Sequence, residues 1–197
     1  MKQAAVGFRA HSGWAAMVAV CVEKGTPRVL TRGRIQLVET FTYKFRQPYH
    51  TAEKLPLEEG REFVARVEKE SRDLAYRAIH RLRADLRQEG IELRRSALLL
   101  ASGKTLSSFE SIIASHPLIH TADGELFREA LSSGAKRCGL EPVGIKEKEL
   151  LDSAKQTLRV QPAVLLRRIT ELGKPFGSPW SQDEKFATLA AWVALLS

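Results

Sequence analysis

No apolar run in this 197-residue chain is long enough to span a bilayer. The opening, MKQAAVGF, has one lysine and no separate apolar region ending in a cleavage site, so no signal peptide is expected. Cysteine is scarce. Cys21 falls in an apolar strand-like run and Cys138 precedes Gly139 at a predicted helix end. Two reduced thiols in a cytoplasmic protein are the expectation. Internal repeats and low-complexity tails are absent. Acids are outnumbered, with 23 Asp and Glu against 31 Lys and Arg, for a net charge of +8. A basic balance permits non-specific nucleic-acid binding without establishing it. Apolar residues make up 44% and charged residues 27%, an ordinary globular composition. One domain over 1–197 is expected, large enough to bury a core.

The charge is unevenly spread. Between Arg61 and Arg95 stand nine arginines and Lys69 against seven acids. Glu62 and Arg66, Glu68 and Arg72, and Asp73 and Arg77 have the i,i+4 spacing of helix ion pairs. Arg77, Arg81, Arg83 and Arg87 have fewer acids around them. They make either a solvated helix face or a basic patch, since helix ends favour cations in any case.

Residues 4–10 and 13–22 are rich in Val and Ala and read as strands joined at Ser12-Gly13. EKGTP (23–27) reads as a tight turn, and 28–38 alternates apolar and polar as a half-buried strand does. Residues 39–57 hold aromatics and two prolines without a helical period, so an extended loop is expected. From 57 to 89 the period is helical, with Val64, Val67, Ser71, Leu74, Ala78, Leu82 and Leu86 on one face and Gly90 as the stop. IELRRSALLLASG (91–103) is the clearest buried strand. A short helix over SFESIIAS follows, capped by Ser107 or Ser108, then one that starts at Pro117 and runs to Gly139. A short strand at 140–147 precedes helices near 147–157 and 162–172. After a Gly/Pro connection, Ser181 caps a last apolar helix with Asp183 and Glu184 in its first turn. The order β-β-β-α-β-α-β-α-α predicts an α/β fold: a mixed sheet, three strands antiparallel and two parallel, with helices on both faces.

Within this frame, VGFRAHSGWAAMVAV (6–20) resembles the opening strand pair of RuvC-type Holliday-junction resolvases, which belong to the ribonuclease H-like superfamily. The family begins with a Gly-apolar-Asp segment, a short turn and a small residue; here these positions read Gly7-Phe8-Arg9 and Ser12-Gly13-Trp14. GIKEKELLDSAK, VLLRRITEL, GSPW and SQDEKFATLAAWVALL follow the layout of the family's C-terminal part. The resemblance implies a ribonuclease H-like fold and, in the family, a site where three or four carboxylates hold two metal ions. At the first-strand position of that set stands Arg9, a cation that repels Mg²⁺. The fourth-strand acid has no counterpart in SALLLASG, which leaves only Asp183 and Glu184 at the last helix. Two-metal nuclease activity is therefore not expected.

Other segments carry chemistry-bearing residues. ASGKTLSS (101–108) ends like a phosphate-binding loop, but Leu98 stands where its first glycine belongs, so a strand-to-helix turn is the simpler reading, with Lys104 at its tip. His116 and His120 have the spacing of two metal ligands on one helix, but Pro117 complicates that reading. Asp123, Glu125, Arg128 and Glu129 follow on the same helix. Trp180 packs under a loop or offers a stacking surface, and Tyr49 and His50 line a site or pin the loop. Topology brings His11, His116 and His120 toward the carboxyl edge of the sheet. The candidate ligand-binding set is Arg9, His11, Ser12, Lys104, His116, His120, Glu125, Trp180 and Asp183. No metal and no cofactor are predicted. Two readings stand: a degenerate nuclease relative that binds DNA, RNA or a protein complex, and an enzyme with a rebuilt Arg/His/Glu site for an anionic substrate. Neither involves a membrane.

Overall fold

The structure is a computed structural model and describes residues 1–102 and 105–197. The candidate Lys104 lies outside the described residues. Three N-terminal strands, β1 (Lys2–His11), β2 (Trp14–Glu23) and β3 (Thr26–Gln36), form the expected antiparallel meander. Its first turn is the two-residue Ser12-Gly13, with His11 paired to Trp14 and Gly13 at a φ of 81°, where a side chain is strained. Residues 39–57 are not an extended loop. They contain two short helices, α1 (Tyr43–Arg46) and α2 (Pro48–Ala52). Pro48 stands at the first position of α2, where a missing N–H costs nothing. Pro48, Tyr49 and His50 are buried there, so tertiary packing supports a helix too short to show a period.

The long helix α3 (Leu57–Gln88) is the predicted one, with a shifted stripe. Ala75 and Ile79 are buried, whereas Leu74 and Ala78 stand half-exposed beside them. The buried stripe runs through 64, 67, 71, 75, 79, 82 and 86, a different phase of the same helical period. Asp73 pairs with Arg137 at 2.7 Å rather than with Arg77, while Glu68 and Arg72 meet at 3.4 Å as spaced. After α3 come β4 (Ile91–Leu100), α4 (Phe109–Ile113) capped by Ser108, α5 (His116–Arg137) and β5 (Pro142–Lys146). A 3₁₀ turn (Glu147–Glu149) leads into α6 (Leu150–Leu158), α7 (Pro162–Leu172) and, after a further 3₁₀ turn (Lys174–Phe176), α8 (Gln182–Leu196).

The sheet order is β3-β2-β1-β4-β5, with β1, β4 and β5 parallel. Alternation along β1 divides the core. Ala4, Val6 and Phe8 face α3 and α5, while Ala5 faces the layer of α6, α7 and α8. Cys21 and Cys138 are free and buried, and burial pushes both thiols above their ordinary range. Among the described residues no helix is long and apolar enough to cross a membrane.

The contact that fixes the functional edge is between β1 and α8. A Cβ on Gly7 would stand 1.9 Å from the Ala187 carbonyl oxygen and 3.0 Å from the Ala191 amide. The backbone of α8 therefore touches β1 with no side chain between them. Replacing Gly7 with alanine forces that helix away. The expected loss is about 3 kcal/mol, at the upper end of what overpacking costs, read as a lowered urea midpoint relative to the native chain.

Candidate functional site at the carboxyl edge of the sheet

The parallel strands β1, β4 and β5 end at one edge, where ligands of open α/β sheets bind. Arg9 points to the α8 side, two residues beyond Gly7. Asp183 lies one helical turn before Ala187, so the Gly7 contact brings the two side chains together. Arg9 Nη1 donates to Asp183 Oδ1. Its Nε and Nη2 donate to Glu147, at 3.0 and 2.6 Å, in a two-pronged pair. Glu147 is the first residue past β5, so the Arg9 side chain reaches across the end of β4. These bonds, Glu147's foremost, hold the guanidinium charged and raise its pKa against the cost of burial.

Three of Arg9's five donors are thus engaged. One guanidinium against two carboxylates leaves the cluster with an excess negative charge. Arg9 is therefore not an isolated cation, since two carboxylates surround it. His11 Nε2 lies 3.0 Å from Asp183 Oδ1 but is buried and off the line of a hydrogen bond, so the contact is electrostatic at most. Glu184 is engaged too. It closes a capping box with Ser181 and accepts from Arg32 at 2.7 Å. Arg32 also holds the preceding loop through the carbonyls of Phe176, at 2.9 Å, and Pro179.

Beside this cluster runs a column of rings and cations. The His11 ring stacks on Trp14 with centroids 4.4 Å apart. Arg34 lies over Trp14 at 4.0 Å and over Phe41 at 4.9 Å, and Arg46 lies over the same Phe41 at 4.6 Å. Arg46 also donates to the Ser12 carbonyl at 3.3 Å. Arg34 is exposed and continues into a groove of about 780 Å³ between β3 and α3, which Arg77 and Arg81 also line, with Asp85 and Glu89 further along. Arg83 and Arg87 line a different surface, and Arg83 donates to the Cys138 carbonyl. The four arginines thus form two pairs on separate faces of α3, since a helix turns about 100° per residue.

A second cluster joins α2 to the start of α5. His116 and His120 lie one turn apart with their Nε2 atoms 3.1 Å from each other. The His50 ring meets both, at centroid distances of 5.4 and 4.4 Å. Behind His50, Asp123 binds its Nδ1 at 2.5 Å and accepts the Tyr49 N–H at 2.7 Å. Burial pushes the Asp123 carboxyl above the usual range, and these hydrogen bonds act in the opposite direction. Burial likewise pushes the Tyr49 phenol up to about 12, with Glu68 and Asp123 adding to the shift.

The sequence candidates therefore divide. Arg9, His11 and Asp183 meet at one centre, and His116 and His120 at another. Among the described residues no hydrogen bond or ring contact links His11 to those two histidines. Ser12 contributes its carbonyl alone, and Glu125 pairs with Arg128 at 2.7 Å. Trp180 sits over Gly173 and donates to the Ile169 carbonyl at 2.8 Å. Glu147 was not among the candidates; its signal is an acid directly after the last strand of a parallel set. Asp123 and His50 were visible as polar residues, but nothing in their spacing pairs them across 73 positions.

Comparison with known proteins places the architecture. No family model matches the chain, and no curated protein matches it. Among solved structures, RuvC of T. thermophilus in complex with a Holliday junction substrate aligns with a TM-score of 0.51 at 12% identity, over 97% of this chain and 91% of that one. A second Thermus thermophilus RuvC structure aligns with the same TM-score at 13% identity, over 96% and 92%. The fold is ribonuclease H-like and similar in layout to RuvC, as the strand pair and the C-terminal plan suggested.

The Arg9 pairing is open to a double-mutant cycle. Arg9→Met and Asp183→Asn, singly and together, should show a coupling of about 1–2 kcal/mol in chemical denaturation, between the values of exposed and fully buried pairs. Additive losses would mean that the two charges do not stabilise each other.

Proposed function

We propose that this chain is a ribonuclease H-like protein that binds DNA, with unpaired or branched segments as its preferred form, and does not cleave it through two metal ions. The observation that carries the reading is Arg34, which lies over Trp14 and Phe41 at the mouth of a groove lined by Arg77 and Arg81. Bases freed from a duplex stack on aromatic rings and guanidinium planes, and cations along a groove neutralise the backbone. The relatives in fold support the direction, since one of them was solved with a Holliday junction substrate. The residues at the carboxyl edge do not fit a two-metal centre. Arg9 stands where a bridging carboxylate would be needed, the end of β4 offers no acid, and Glu147 and Asp183 are engaged by Arg9. With both carboxylates taken up by the guanidinium, neither is left to coordinate a divalent cation.

Fluorescence anisotropy with a labelled four-way junction, a single strand and a duplex, across a salt series, tests the reading. Binding at low salt is expected, falling linearly in log–log form as salt rises. Replacing Arg77 and Arg81 with alanine should flatten the slope by about 1.8 on duplex segments, the value of two phosphate contacts. Arg34→Ala should weaken single-strand and junction binding by about 5- to 150-fold, the range for a lost base stack. No affinity for any of these DNAs or for RNA at low salt would overturn the reading. In the same tubes Mg²⁺ should produce no cleavage, for the native chain and for Arg9→Asp alike, since the fourth-strand acid is missing as well.

A further inference from the structure

We infer that His50, His116 and His120 form a binding site for a single divalent ion of the zinc class, with Asp123 as the residue that orients His50. This site is independent of the Arg9 cluster and of the basic groove.

The geometry is that of a ligand set. One ring nitrogen from each histidine lies within 4.8 Å of the others. Tetrahedral zinc with bonds of about 2.0–2.1 Å sets its nitrogens roughly 3.3 Å apart. The Nε2 atoms of His116 and His120, at 3.1 Å, already stand near that spacing. Both of these side chains are exposed, so they are free to turn, and the adjustment needed to bring in His50 is small. Exposure also leaves the fourth coordination position facing water.

Asp123 separates this cluster from three histidines that merely touch. Its buried carboxylate holds Nδ1 of His50, which orients the ring and leaves Nε2 as the nitrogen free to ligate. Asp123 is itself fixed by the Tyr49 amide. A carboxylate behind one ligating imidazole is the arrangement that orients metal-bound histidines and makes them better donors. No carboxylate stands among the ligands, and a set of three imidazoles favours zinc, copper, nickel or cobalt over Mg²⁺ or Ca²⁺. The ligands come from two elements far apart in sequence, so the ion would tie α2 to the first turn of α5.

Titration of the purified 197-residue chain with Co²⁺, followed by visible absorption, tests the site. One equivalent should produce the intense bands of a four-coordinate cobalt centre, and Zn²⁺ should displace it at the same stoichiometry. His120→Ala, at an exposed position that should not disturb folding, should weaken zinc binding at least 100-fold against a chromophoric chelator. Asp123→Asn should weaken it by about 10- to 100-fold. His80→Ala, on α3, should leave it unchanged. Absence of the cobalt bands, or zinc affinity in His120→Ala equal to that of the native chain, would overturn the inference. Binding lost equally in His80→Ala would overturn it too, because the ion would then sit elsewhere.

Discussion

The structure depends on one close approach, the backbone of α8 against β1 at Gly7. Where a helix and a strand touch without side chains between them, the residues on either side of the contact are fixed in register. Two residues on along β1 comes Arg9, and one turn back along α8 comes Asp183. Their pairing is a geometric consequence of the contact. Glu147 joins because β5 is parallel to β4 and β1, so the chain leaves it at the same edge. The same contact explains why α8 is rich in alanine. Ala187, Ala190 and Ala191 are fully buried, and larger residues there would hold the helix off the sheet.

The charges at that edge are arranged to satisfy one another. Arg9 takes up Glu147 and Asp183, and Arg32 takes up Glu184 and two loop carbonyls. In a site that draws on outside charge, some donors or acceptors face outward without partners. Here the carboxylates turn to the guanidinium groups of Arg9 and Arg32, which makes the edge a joint between β1, β5 and α8. Exposed cations lie on the neighbouring surface, where Arg34 covers the Trp14 and Phe41 rings and Arg77 and Arg81 follow along α3. A pairwise count of charges along the sequence obscures this difference, because it treats Arg9 and Arg34 alike.

The histidine cluster follows a different physical logic. Its members carry no shared sequence signal beyond the i,i+4 spacing of His116 and His120. His50 joins them because the 39–57 segment folds into two short helices, which bury Tyr49 and His50 against α5. Helices of four and five residues have no hydrophobic period to read. They exist because packing against α3, α4 and α5 stabilises them, and no local pattern reports such support.

Local patterns in the chain specify the order and type of the long elements, the meander, the layout of the sheet and the likeness of the first strand to RuvC with a cation in an acid's place. Each rests on local periodicity, turn chemistry or side-chain charge, which are written in consecutive residues. The tertiary structure alone decided which charges meet. It gave Arg9 its partner Glu147 from 138 positions away, split the arginines of α3 between two faces and brought His50 and Asp123 to the other histidines. Those pairings depend on helix phase to within one residue and on crossovers of many residues. A phase error of one residue, as between Leu74 and Ala75, is enough to turn a side chain from the core to the groove.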